Sequence, residues 1–250
     1  MEEEIKYYYD SHATEKDRMG QPSAHSELLH DLWNVLKWPF HEQTCAIYGN
    51  LNFYQTSDPF EYPEEPDLAI IKGIAYQNTT RSYRVGKSGP APHVIFEVAS
   101  DETWKIDLEE KPARYAHMGV QEYFAYDPYE PPLPESGNRR LFGWQLDPDR
   151  RIMREMPPAS DGSLWSQYLE SRLVSDGYNL RLYDDHNQMR LTGAEEMARQ
   201  ADELRRETDA LARQTDELNE LIERTVSNKK RIQVYSEKLR SMGIDPDQII

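Results

Sequence analysis

The chain has 250 residues, 38% of them hydrophobic, and a formal net charge of −16. That length allows one good-sized domain plus an appendage. The charge argues against tight, sequence-independent DNA binding, which depends on Lys and Arg neutralising phosphates. Residues 191–250 hold 10 basic and 13 acidic side chains, leaving 19 and 32 in the first 190, so the acidity is not a tail effect. Tyr (16) and Trp (5) supply contact area that aliphatic residues would otherwise give. A single cysteine, Cys45, excludes an internal disulfide and fits a reducing cytosol. The acidic start, Met1 to Glu4, lacks the basic-then-apolar pattern of a secretory signal, and no apolar run approaches membrane-spanning length. A soluble, cytoplasmic protein is expected.

In chain order, residues 1–21 show no period and read as an N-terminal arm. Leu28, Leu29, Leu32, Trp33 and Leu36 recur at helical spacing, and Pro39 ends that helix. Cys45 to Tyr54 is rich in strand formers and is expected to pair with the run Leu68 to Ile71. A long polar connection, 72–92, follows; loops of that length are usually functional or disordered. His93 to Ala99 reads as a fully buried strand, Glu122 to Asp127 as another, stopped by a proline cluster from Pro128. Arg140 to Gln145 and Arg151 to Met156 form a β-hairpin pattern around Asp147-Pro148-Asp149-Arg150. Trp165, Leu169 and Tyr183 are expected to cover one sheet edge.

The region 192–242 is of another kind. Met197, Leu204, Leu211, Leu218, Thr225, Ile232 and Leu239 recur every seven residues. Ala201, Thr208, Thr215 and Ile222 lie four residues after the first four of these. Leucine at d with small or β-branched residues at a favours a two-stranded coiled coil. A homodimer through this helix is therefore expected, followed by a short tail, 243–250. A single amphipathic helix folded back on the core is the alternative, and the threonines and Lys229 predict a weak coil.

Two carboxylates carry the chemistry. Asp67 and Glu97 stand in short apolar runs, Pro66-Asp67-Leu68-Ala69-Ile70-Ile71 and Val94-Ile95-Phe96-Glu97-Val98-Ala99. Acids buried among apolar residues cost several kcal/mol without partners. A shared divalent cation with oxygen ligands is one solution, and phosphodiester hydrolysis uses it. Two carboxylates that simply reach solvent are the other.

The surrounding residues decide between them. Pro66-Asp67 is followed by Phe96-Glu97-Val98-Ala99-Ser100. Next comes Asp107-x-x-x-Lys111-x-x-x-Tyr115-x-x-x-Gly119-Val120-x-Glu122-Tyr123, and then Asp127-Pro128. This order resembles the Uma-two family of the PD-(D/E)xK nuclease superfamily, over roughly residues 20 to 185. Pro22-Ser23-Ala24-His25 is similar to that family's start, and Leu239 to Pro246 to the tails of its cyanobacterial members. The resemblance implies an α/β, restriction-endonuclease-like core over 22–190, a central mixed sheet flanked by helices. It also implies Mg2+ (or Mn2+) held by Asp67, Glu97 and the Val98 carbonyl, with DNA as substrate. The superfamily's usual lysine, two residues after the acid, is replaced by Ala99. The resemblance moves its role to Lys111 on the next helix.

Pro112 permits two arrangements there: a kinked helix, or a helix that begins near Lys111. With helical spacing kept, Asp107, Lys111, Tyr115 and Met118 share a face. Asp107, Tyr115 and His25 are then candidates to support the ligands. For His25, at the start of the first helix, a capping or solvated role is the plainer reading. Arg81, Arg84 and Lys87 are candidate substrate contacts, as solvated loop residues or as partners of phosphates. The acidic balance, the displaced lysine and the coil also fit a nuclease-fold protein that no longer cuts and serves as an assembly module.

Overall fold

A computed structural model describes residues 23–37, 40, 44–56, 58, 60–100 and 103–248. The expected arm, 1–21, lies outside the described residues. The chain divides at Gly193 into two compact units.

The first unit is built on a six-stranded sheet. Its strands are β1 (Cys45–Gly49), β3 (Leu68–Lys72), β5 (Val94–Val98), β6 (Glu122–Tyr126), β7 (Leu141–Asp147) and β8 (Ile152–Glu155), in the order β1-β3-β5-β6-β7-β8. Only β5 and β6 run parallel; every other neighbouring pair is antiparallel. A parallel pair needs a crossover, and here it consists of two short helices, α2 (Trp104–Glu109) and α3 (Lys111–Met118). Side chains alternate between the faces of β5. Phe96 and Val98 turn toward α1 (Ser23–Lys37), where Leu28, Leu32 and Leu36 are buried. Ile95 turns toward Trp104, Tyr115 and Met118. The expected hairpin forms as β7 and β8.

Two expectations need correction. Cys45 to Tyr54 is not one strand. The chain turns at Asn50, whose φ is 49°, and β2 (Asn52–Tyr54) leaves the main sheet to pair in parallel with β4 (Ser82–Arg84). Trp165, Leu169 and Tyr183 do not simply line an edge. β9 (Leu164–Ser166), β10 (Ser171–Asp176) and β11 (Asn179–Tyr183) form a second, three-stranded sheet. Its Leu164, Leu173 and Leu182 enter the same core as α1, while Trp165 stays exposed.

The second unit is α4 (Gly193–Ser241), 49 residues long, with none of its side chains buried. At 1.5 Å per residue it extends about 70 Å. Gly243, at φ 77°, closes it: its N–H donates to the Arg240 carbonyl, and the Ile244 N–H donates to that of Leu239. Among the described residues no helix is long and apolar enough to cross a membrane.

Gly143 in β7 lets Leu164 of the second sheet pack closely on the first. A Cβ there would fall 2.7 Å from Leu164 Cδ1 and 3.0 Å from the Phe124 ring. Gly143→Ala is therefore expected to cost about 1–3 kcal/mol, as overpacking does, read as a lower urea midpoint at unchanged slope.

Candidate active site

The antiparallel register of β3 on β5 pairs Leu68 with Phe96. Carried one residue outward, it sets Asp67 across from Glu97. Asp67 is fixed there by the Val98 N–H, which donates to its Oδ2 at 2.7 Å. Glu97 lies within β5 and is 3% exposed. Its Oε1 takes the Lys111 ammonium at 2.7 Å and accepts from the Tyr115 hydroxyl.

Lys111 reaches Glu97 because the chain breaks at Glu110. Of the two arrangements open to Pro112, the separate helix is the one that forms. Pro112 occupies the first turn of α3, where its missing N–H costs nothing. Asp107, at the end of the preceding α2, still meets Lys111, with Oδ1 2.8 Å from Nζ. The shared face survives the break: Asp107, Tyr115 and Met118 are all buried. Gly119, at φ 90°, ends α3 by donating to the Tyr115 and Ala116 carbonyls.

Two acids thus hold one ammonium, and a third, Asp67, lies across from Glu97. Burial raises the Glu97 carboxyl to about 8; Lys111 pulls it down, and Asp67 and Asp107 push it up. Burial likewise raises Asp107 against the pull of Lys111. Burial alone would lower Lys111, but Glu97 and Asp107 outweigh it and hold the ammonium above its ordinary range. The lysine stays cationic, and the proton this cluster exchanges belongs to the carboxylates. Burial and the Glu97 carboxylate keep the Tyr115 phenol protonated, so it remains a donor.

His25 corrects the plainer reading of the sequence. It is neither capping nor solvated; it is buried, with Nε2 3.5 Å from Asp67 Oδ1. That nitrogen has no hydrogen-bond partner among the described residues. Arg81, Arg84 and Lys87 lie on or beside the β2–β4 ribbon. Arg84 donates to the Thr56 carbonyl and lays its guanidinium over Tyr54. Two further residues were not singled out from sequence. Thr103 donates to Asp107 Oδ2 at 3.1 Å, a contact its i, i+4 spacing before Asp107 could have suggested. Glu64 is raised by burial, and Arg114 and Lys111 pull it down. Its only sequence signal is a place three residues before Asp67.

The donor set fits a hard cation. Glu97 Oε2 has no hydrogen-bond partner among the described residues, and Asp67 Oδ1 has only the long approach from His25. Among the described residues no three His, Cys, Asp or Glu side chains form a complete cage. Mg2+ typically needs none: it takes one or two carboxylates and keeps waters or substrate phosphates as its other ligands.

Residues 1–151 match the Uma2 family, described as "Putative restriction endonuclease". The chain belongs to that family. None of the curated proteins matches the sequence. A solved structure from Anabaena variabilis, described as a putative nuclease belonging to DUF820, is 13% identical. The similarity covers 60% of this chain and 75% of that one, at a TM-score of 0.41.

The raised Glu97 makes stability depend on pH. Its folded value lies above the ordinary 4.5, so between about 4.5 and 8 the unfolded chain holds fewer protons. The stability of the unliganded protein therefore falls as pH rises through that window. Glu97→Gln should flatten the slope, gaining up to about 1.4 kcal/mol per pH unit over the unsubstituted chain from pH 5 to 8, with raised Asp107 and Glu64 leaving a remainder. Urea unfolding across that range checks this; parallel pH curves for the two proteins would contradict it.

Proposed function

We propose that this protein is a divalent-metal-dependent endonuclease that hydrolyses DNA phosphodiester bonds at Asp67, Glu97 and Lys111. The observation that supports it is a pair of buried carboxyl groups, Glu97 and Asp107, on one ammonium, with a third, Asp67, across from Glu97. Asp67, Glu97 and Asp107 set three carboxyl groups against the one ammonium of Lys111, and burial pushes Glu97 and Asp107 toward their neutral forms. Such an imbalance is costly in a buried site and is relieved by a cation. Asp67 and Glu97 would hold Mg2+ or Mn2+, with the Val98 carbonyl as a third ligand. When bound, the metal supplies Lewis-acid polarisation of the phosphate and a lowered water pKa.

The chain's own residues do the rest. The Val98 N–H and the Tyr115 hydroxyl each occupy one oxygen of a carboxylate and so fix its orientation. The Lys111 ammonium, held between Glu97 and Asp107, offsets the charge that develops on the phosphoryl oxygens. Asp107, itself oriented by Thr103, keeps that ammonium at the site. Lys111 thus takes the part that a lysine at position 99 would play.

Asp67→Asn and Glu97→Gln should each abolish Mg2+-dependent cleavage while preserving or raising thermal stability. Lys111→Ala should cut the rate by orders of magnitude with little loss of metal affinity by calorimetry. Full Mg2+-dependent activity in either carboxylate variant sinks the assignment. A Lys111→Ala variant that binds metal far more weakly yet turns over normally makes that lysine structural.

The helix α4 joins two such sites in one particle. Its seam leucines, Leu204, Leu211 and Leu218, are each about 60% exposed in the single chain, and pairing two chains through a coil covers them. Two linked sites raise the effective concentration at a second strand after the first cut. Sedimentation equilibrium should give a dimer for the full chain and a monomer for residues 1–190. A monomeric full chain at tens of micromolar rejects the coil, and a dimeric truncation moves the interface to the core.

A further inference from the structure

A cleft of about 420 Å³ opens beside the site, with Asp67 in its wall, a size ordinary for ligand pockets. Three elements enclose it: α1, the edge strand β1 with the turn after it, and the connection that follows β3. Its aromatic surfaces come one from each, Trp33, Tyr48 and Tyr76. The rings of Tyr48 and Tyr76 lie 5.3 Å apart, tilted by 37°. Amides from Asn50, Gln77 and Asn78, the hydroxyls of Ser26 and Thr80 and the His30 imidazole add polar lining. No lysine or arginine lines this cleft, and Asp67 is its one carboxylate.

That chemistry selects its ligand. Flat aromatic faces with amide donors and acceptors suit an uncharged heteroaromatic ring with a hydrogen-bonding edge. A wall without a fixed cation does not suit a phosphate. A nucleobase has these properties, but only when unpaired, because a duplex buries its base faces in the stack and presents phosphates outward. A second cavity of about 580 Å³ shares Tyr48, Gln77 and Thr80 with the first and extends to Ser82 and Ser88. Those two residues flank Arg84 and Lys87, so the basic loop lies where the strand leaves the cleft rather than at the cleft itself.

We infer that this cleft takes an unpaired base of single-stranded DNA next to Asp67, and that the nuclease cuts unpaired strands in preference to duplex. The inference rests on the nuclease reading for its substrate class. Tyr76 is the main stacking surface. It is 51% exposed, so its replacement does not disturb the core.

The test uses the full chain and a single-stranded oligodeoxynucleotide containing 2-aminopurine, alone or annealed to its complement, in Ca2+ for binding and Mg2+ for cleavage. Single strands should quench the fluorophore and bind more tightly than duplex. Tyr76→Ala should weaken that binding about tenfold or more, as loss of one base–aromatic stack does, and Tyr76→Phe should restore it. Duplex binding as tight as single-strand binding, or a Tyr76→Ala variant without effect, overturns the inference. Cleavage of duplex by that unaffected variant leaves the nuclease reading standing. Stacking of single strands with no substrate cut in Mg2+ supports the cleft and overturns the nuclease reading instead.

Discussion

The ammonium of Lys111 is the contact on which the site depends. Glu97 and Asp107 are buried and come from different elements, and no other cation in the described site touches both. Without it, two carboxylates would face each other in a low-dielectric interior, and such groups protonate or force the surrounding structure apart. The lysine in turn depends on where α3 sits. Its start is fixed by Pro112 in the first turn and its end by Gly119, and Tyr115 ties its middle to β5 through Glu97. The crossover that makes β5 and β6 parallel therefore also carries the charge that lets β5 hold an acid.

Much of this arrangement is legible in the sequence, and the residues that are not legible fail for identifiable reasons. Asp67 and Glu97 stand out because each sits in an apolar run, and a strand buries what surrounds it. Lys111 is named by the family resemblance, and helical spacing only adds that it can share a face with Asp107 and Tyr115. Pro112 left two geometries open because proline is tolerated both at a kink and in a first turn. His25 is a candidate from its place at the helix start, but its burial against Asp67 has no local signal, because nothing there tells that a distant strand end folds against it. The split at Asn50 had a signal, Gly49-Asn50, that a strong run of strand formers hid. The small sheet β9–β11 is made of short strands with half-buried faces, whose pattern is weak. Its one clear mark is Gly177, at φ 60°, which opens the two-residue turn Gly177-Tyr178 between the paired Asp176 and Asn179.

The acidity of the chain also has a physical reading. Site carboxylates account for only part of it, and several of the arginines that offset it are committed to local ion pairs. Arg139 meets Glu155, Arg154 meets Asp147 and Arg172 meets Asp161. Paired arginines have less positive field to offer a polyanion. Attraction to nucleic acid would then draw on bases and bound metal as well as on the remaining cations, and is expected to depend on divalent ions more than on bulk salt.

The threonines of α4 change what its seam can tolerate. Thr208, Thr215 and Thr225 each donate their hydroxyl to the backbone carbonyl four residues earlier, at 2.8 Å. A hydroxyl satisfied within its own helix needs no partner from another chain. Each of these residues would present its methyl group to an interface, behaving much like valine while remaining compatible with water when exposed. A helix built this way can exchange between solvated and covered states without stranding a polar atom in either.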